Sequence, residues 1–245
     1  FQKIVHLVDP TAQILEPVLT ATTNKAAENL AQITGQDART IHSVLGLRVS
    51  TDFRTSVTTL TVQRNAPLVE DTLLFIDEAS YIDKALLQHI FQRTRNCKIV
   101  FIGDPAQLTP VQATGTPVFD ANFPGAALTQ VVRQAEGNPI VDLSTKFRHA
   151  VNTGKFFSFR PDGRTIQHLD REAFNQAIAQ EFVREDWRYA DSKILAWTNK
   201  CVVGYNQMVR NLAKGDPHFQ EGDYVTVNTF LQAARGSSFK TDQLA

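Results

Sequence analysis

The sequence has 245 residues, enough for one large domain or two ordinary ones. Its composition, 42% hydrophobic and 20% charged, is that of a water-soluble globular protein, and no apolar run approaches the length that crosses a membrane. Basic and acidic residues balance at 25 each, so a polyanion would have to be gripped by a local groove rather than by an overall positive field.

Phe1 to Asp9 reads as a helix with Ile4, Val5 and Val8 on one side, ended by Asp9-Pro10. Pro17 to Ala21 reads as a short strand running into Thr22-Thr23-Asn24. Thr23 or Asn24 can cap the helix that follows, whose apolar stripe is Ala26, Ala27, Leu30 and Ile33. Small hydroxyls and amide protons at a helix start suit phosphate as well as plain capping. Thr40-Ile41-His42-Ser43-Val44-Leu45 comes next. From Val49 to Val69, Thr, Ser and Val alternate with Arg and Gln, the pattern of a half-exposed strand in a hairpin.

Leu73-Leu74-Phe75-Ile76 then ends abruptly in Asp77-Glu78. The apolar run predicts a strand buried on both faces, as in a parallel sheet, with two acids at the end where open α/β sheets bind ligands. In a nucleoside triphosphatase the first acid can hold Mg²⁺ and the second can activate water. Acids at a following helix start are the plainer alternative. Ser80 is predicted to cap that helix with Asp83 as its capping-box partner, and Ile82, Leu86, Leu87, Ile90 and Phe91 form its apolar face. Lys98 to Ile102 is the next strand, running into Gly103-Asp104-Pro105-Ala106-Gln107-Leu108 and completing a parallel βαβ unit. Ala126 to Val131 is predicted as a further strand.

The second half opens with a helix from Pro139 to about Arg148, and another spans Arg171 to Phe182 with Phe174, Ile178 and Phe182 in a core stripe. Lys193 to Trp197 is predicted as a buried strand, and Thr198-Asn199-Lys200 leads into a helix marked by Val202, Tyr205, Met208 and Val209. Trp197 suits either stacking on a base or burial in a core. Glu221 to Val227 reads as a turn into a strand. Cys97 and Cys201 have no metal-ligand spacing, which points to a reducing, cytoplasmic setting.

The pair Asp77-Glu78-Ala79-Ser80 and Gly103-Asp104-Pro105-Ala106-Gln107-Leu108 resembles motifs II and III of the superfamily 1 helicases, in the form used by the RecD/Dda-type branch. Ala21 to Ala27 resembles motif Ia, Thr40 to Ser43 motif Ib, Leu128 to Gln134 motif IV, and Gly236 to Lys240 faintly the tail of motif V. The resemblance implies an α/β fold of two RecA-like doubly wound domains, residues 1–134 and 135–245. A β-hairpin insertion, a wedge or pin at the DNA fork, would occupy about 49–69, and a small SH3-like insertion would lie in the second domain. It implies ATP and Mg²⁺ as cofactors, with Asp77 on the metal, Glu78 activating water, Gln107 sensing the γ-phosphate and Arg133 reaching it as an arginine finger. Thr22, Thr23, Asn24, Thr40, His42, Trp197 and Asn199 would line single-stranded DNA. The protein would be a monomer working with replication or recombination proteins, translocating 5′ to 3′. An RNA-directed superfamily 1 helicase and a non-catalytic nucleic-acid-binding scaffold are the alternatives.

The family's phosphate loop, with its G-K-[ST], occurs nowhere in the 245 residues, and motif VI is also lacking. The order of motifs predicts that a P-loop segment is missing near Thr11 to Glu16, where the Cα step would be far longer than the usual ~3.8 Å. A second break is expected between Val227 and Gly236. A degenerate ATPase site is the competing explanation.

Overall fold

The computed structural model describes residues 15–52, 57–107, 115–128, 137–216, 218–225, 231–232 and 238–239. These fall into two compact units, one holding the residues up to 128 with 231–232 and 238–239, the other holding 137–225. The expected helix at 1–9, the expected chain break near 11–16 (up to residue 14) and Arg133 lie outside the described residues, as does most of 227–236.

The first unit is a parallel-sheet α/β core. Strand β1 (Glu16–Ala21) leads to helix α1 (Asn24–Thr34), β2 (Ala38–Thr40) and the short helix α2 (Ile41–Val44). Next come β3 (Leu47–Asp52) and β4 (Val57–Val62), an antiparallel pair, then β5 (Val69–Glu70) and β6 (Thr72–Asp77). After a 3-10 turn at Ala79–Tyr81 follow α3 (Lys84–Arg93), β7 (Thr94–Arg95), β8 (Lys98–Phe101) and α4 (Pro117–Asp120). The main sheet has the order β2-β1-β6-β8, every neighbouring pair parallel. Leu74 and Ile76 of β6 are fully buried at its centre, and Ile41, Leu45, Ile82 and Ile90 close around them. An apolar run with no polar alternation is what a strand covered on both faces requires. The Thr20 hydroxyl, also fully buried, donates to the Phe75 carbonyl across the β1–β6 seam at 2.7 Å.

Three expectations for this unit need correction. Ser80 does not cap α3. It is buried in the 3-10 turn, and Asp83 is the N-cap, its carboxylate accepting from the Leu86 N–H at 2.7 Å. The turn carries the chain past the sheet edge before a helix can begin, and Asp83 is the next residue able to accept from an open N–H. The two apolar stripes are narrower than expected: Ala27, Leu86 and Ile90 are buried, whereas Ile33 is 79% and Phe91 50% exposed. Ala126 to Leu128 form no strand, and 129–131 lie outside the described residues.

The second unit contains α5 (Pro139–Thr153), α6 (Arg171–Phe182) and α7 (Asn199–Lys214). Each N-cap is local chemistry: Asn138, Asp170 and Thr198 accept from the Ile140, Ala173 and Cys201 N–H groups. Phe174 of α6 meets Tyr205 of α7 edge-on at 6.1 Å, and Phe182 tilts against Trp187 at 5.3 Å, but of the expected core stripe Ile178 alone is buried and Phe174 is 38% exposed. Asp223 takes ion pairs from Lys214 and Arg210 and the Gln220 N–H at 2.8 Å, tying the end of α7 to the following loop. Lys214 and then Arg210 hold its carboxyl far below the usual carboxylate range. Lys193 to Trp197 is not a strand: it joins no sheet among the described residues, and Leu195 and Trp197 are 92% and 96% exposed. Glu221 to Val225 is a turn and irregular chain. The small strands β9 (Leu231–Gln232) and β10 (Ser238–Phe239) pair antiparallel.

Truncation separates the true stripe from the apparent one. Ile90→Ala should cost about 2–5 kcal/mol, whereas Ile33→Ala should stay within about 0.5 kcal/mol. Urea midpoints of the two variants check this. Equal losses would mean that α1 packs through Ile33 after all.

Candidate functional site at the carboxyl edge of the sheet

Parallel strands all end on the same side, so their loops converge. Register makes this specific: Ala21, the last residue of β1, lies beside Asp77 of β6 and Thr40 of β2, and Ile76 lies beside Phe101 of β8. Thr22, Thr40, Asp77, Glu78 and the Gly103 to Gln107 loop therefore gather along one edge of one sheet.

The carboxylate turn is held from both sides. Asp77 Oδ1 accepts the Glu78 N–H at 2.9 Å. Glu78 adopts a left-handed backbone, φ 54° and ψ 42°, which a side chain with a Cβ enters at a cost of roughly 1–3 kcal/mol. The neighbours that keep it there are the Thr22 hydroxyl, donating to the Glu78 carbonyl at 3.3 Å, and the Ala79 N–H, donating to the Ile102 carbonyl at 2.9 Å. Asp77 and Glu78 are both half-buried, so their carboxylates are partly dehydrated yet reachable. The Ser80 hydroxyl in the following turn is fully buried, with no hydrogen-bond partner among the described residues.

The loop after β8 is built around Asp104. Its Oδ1 accepts the Ala106 N–H at 3.0 Å and its carbonyl accepts the Gln107 N–H at 3.1 Å, leaving Gln107 exposed at the edge. Gly103 is required by closeness: a Cβ there would lie 2.9 Å from the Ala79 nitrogen and 3.3 Å from the Ser80 nitrogen. The two loops are thus in direct backbone contact.

Thr23 caps α1 by accepting the Ala26 N–H at 3.1 Å, with Asn24 as the first helical residue. Thr40 caps α2 by accepting the Ser43 N–H at 3.2 Å. Both hydroxyls therefore already have a local partner. His42 is half-buried on α2; burial lowers its pKa below the ordinary value near 6.5, and the Asp83 carboxylate opposes the shift. Trp197 and Asn199 belong to the second unit, where Trp197 stands exposed just before the Thr198 cap. Sequence reasoning assigned no role to Thr20, Gly103 or Asp104. A hydroxyl inside an apolar strand, and a glycine-acid pair at a strand end, are the signals that would have found them.

The strand-end carboxylate of Asp77 fits Mg²⁺, which keeps several waters and takes one or two carboxylates alongside substrate phosphates. No three-ligand cage of His, Cys, Asp or Glu is assembled among the described residues. Nor is any helix among them long and apolar enough to cross a membrane.

Comparison with known proteins adds the following. A family model described as an AAA domain matches residues 11–170. Over 223 residues the chain is 28% identical to the ATP-dependent DNA helicase dda of Enterobacteria phage T4, a match covering 86% of this chain and 49% of the phage protein. Over 138 residues it is 35% identical to the ATP-dependent RecD2 DNA helicase of Deinococcus radiodurans, covering 55% of this chain and 18% of that protein. The chain spans about half the length of the first relative and less than a fifth of the second.

Two outcomes test the geometry. Gly103→Ala should destabilise by about 1–3 kcal/mol, because backbone rather than a flexible side chain must yield; an unshifted urea midpoint would mean that the loops separate freely. For His42, the folded-state pKa lies below the unfolded value, so its contribution to stability is complete above about pH 6.5 and declines as pH falls below that. His42→Gln should flatten the fall in stability as pH drops below about 6.5. A profile identical to the wild type would remove His42 from the account.

Proposed function

This chain belongs to the AAA-domain family, in the RecD/Dda-type branch of superfamily 1, and on that premise we propose that it is the motor core of an ATP-dependent DNA helicase translocating 5′ to 3′ on single-stranded DNA. The observation that carries the proposal is the register of β1, β6 and β8, which sets Thr22, Asp77, Glu78 and the Asp104-built loop along one sheet edge.

In this reading Asp77 holds Mg²⁺ and Glu78 orients and deprotonates the attacking water, a division supported by the different backbone settings of the two acids. Bound Mg²⁺ supplies charge neutralisation on the phosphates. Gln107, presented by the Asp104 turn, reads the γ-phosphate, Arg133 serves as the arginine finger toward it, and the two RecA-like domains are residues 1–134 and 135–245. Thr22, Thr23, Asn24, Thr40 and His42 line the DNA in the first domain, and Trp197 and Asn199 in the second. The exposed Trp197 ring supports stacking on a base. The β3–β4 hairpin is the insertion that meets the duplex, and an SH3-like insertion follows in the second domain. The protein acts as a cytoplasmic monomer, alongside replication or recombination proteins.

One observation favours a second reading, a DNA-binding scaffold without turnover: no G-K-[ST] loop occurs in the sequence. Turnover separates the two. ATP hydrolysis stimulated by single-stranded DNA is expected, with Glu78→Gln lowering it by roughly 10²–10⁴-fold or more while Mg-ATP still binds. Asp77→Asn should instead weaken the Mg²⁺-dependent part of binding. Normal turnover in Glu78→Gln would remove the assignment; salt-sensitive DNA binding with no hydrolysis in the wild type would favour the scaffold.

A further inference from the structure

The β3–β4 hairpin is a two-stranded ribbon that pairs with no other strand among the described residues. Val49 and Val62 on it are about half exposed. A ribbon of this kind has little stability of its own, so its direction is decided where it joins the body. That junction is unusually crowded. Gly46, at φ 64°, accepts the Gln63 N–H at 2.9 Å, and a Cβ on Gly46 would lie 2.2 Å from the Ala66 Cβ. The chain entering β3 and the chain leaving β4 are therefore pressed together.

One guanidinium holds both. Arg93 Nε donates to the Leu45 carbonyl, just before β3, at 3.3 Å. Arg93 Nη2 donates to the Ala66 and Pro67 carbonyls, just after β4, at 2.6 and 2.8 Å. These are hydrogen bonds from a charged donor, in the fork geometry that only arginine offers. Arg93 is the last residue of α3, where the helix dipole also favours a cation. The exit strand is stitched further along the same path: Val69 of β5 pairs with Thr94 of β7, and the Cys97 thiol donates to the Val69 carbonyl at 3.3 Å.

The other end of α3 belongs to the carboxylate site. Its cap, Asp83, follows the 3-10 turn that begins beside Glu78, and Ile90 locks the helix into the core. The 3-10 turn after Glu78 and then helix α3 thus link the Asp77-Glu78 turn to the root of the hairpin. We propose that Arg93 is a positioning residue for strand separation: it fixes the hairpin to α3, so that movement of the carboxylate turn is delivered to the hairpin rather than lost in a loose hinge. This rests on the helicase reading above. Arg93 touches neither nucleotide nor DNA in this role, and acts through the hairpin.

The test compares wild type, Arg93→Met and Arg93→Lys, each as the full chain, by three measurements. The first is hydrogen exchange of the amides in β3 and β4 without nucleotide or DNA. The others are ATP turnover with single-stranded DNA and unwinding of a duplex with a single-stranded tail. In Arg93→Met, hairpin protection should fall about tenfold or more, the loss expected for hydrogen bonds from a charged donor. Unwinding should fall by a similar factor while DNA-stimulated turnover stays within about twofold of wild type. Arg93→Lys keeps charge and stem but lacks the fork, so it should not restore unwinding; it carries the same expectation if Arg93→Met fails to fold. Unchanged hairpin exchange, or turnover and unwinding falling in equal proportion, would overturn the proposal. A wild type with no DNA-stimulated turnover would overturn the helicase reading, and strand separation with it, while the exchange measurement still decides whether Arg93 holds the hairpin.

Discussion

The backbone contact between the two central loops is the constraint on which the rest of the site depends. The Ala79 N–H reaches the Ile102 carbonyl, and Gly103 has no Cβ because none would fit against Ala79 and Ser80. This contact, with the Thr22 hydroxyl on the opposite side, holds Glu78 in a backbone conformation that it would not otherwise adopt. Strain of this kind persists only where neighbours over-determine it. Here they are the loops of β1 and β8, the strands flanking β6, so the conformation of one acid is a property of three strands.

The same logic explains why polar groups are tolerated so deep in this unit. Thr20 is fully buried but gives its hydroxyl to Phe75, at no unsatisfied cost. Ser80 is equally buried and its hydroxyl has no partner among the described residues, an unfavourable arrangement. The chain thus spends stability at the Asp77 to Ser80 turn and nowhere comparable along β1. The core from Leu74 through Ile82 to Ile90 lies directly under that turn and supplies the stiffness it needs.

The second unit is organised differently. Among the described residues its one buried apolar side chain is Ile178, and much of its order comes from ring contacts and from Asp223 with its two cations. Yet the start of α7 repeats the local chemistry of α1: an extended threonine accepting an N–H three residues on, followed by asparagine, with a left-handed glycine closing each helix. The two starts differ in what precedes them, a paired strand in one case and exposed chain in the other.

The short-range features were legible in the sequence. The cap at Thr23, the parallel β6-α3-β8 unit and the alternating hairpin all follow from side chains and periodicities that act within a few residues. The position of the paired acids was legible too: an apolar run ending in two carboxylates predicted a buried strand with both acids at its carboxyl end. What failed were readings that depended on a distant neighbour. Lys193 to Trp197 has the composition of a strand, but a strand exists only where another offers its hydrogen bonds. Ser80 has the chemistry of a cap, but the 3-10 turn buried it and left the task to Asp83. Ile33 has the spacing of a core residue, but it lies 79% exposed near the end of α1. The amino-acid order by itself determined where helices α1, α5, α6 and α7 begin and where the two acids sit along the chain, because caps and apolar spacing act locally. Only the tertiary structure decided that Glu78 is held left-handed, that Gly103 has no space for a side chain and that Arg93 grips both ends of the hairpin. Each of these is a contact between residues far apart in sequence, set by which strands lie side by side.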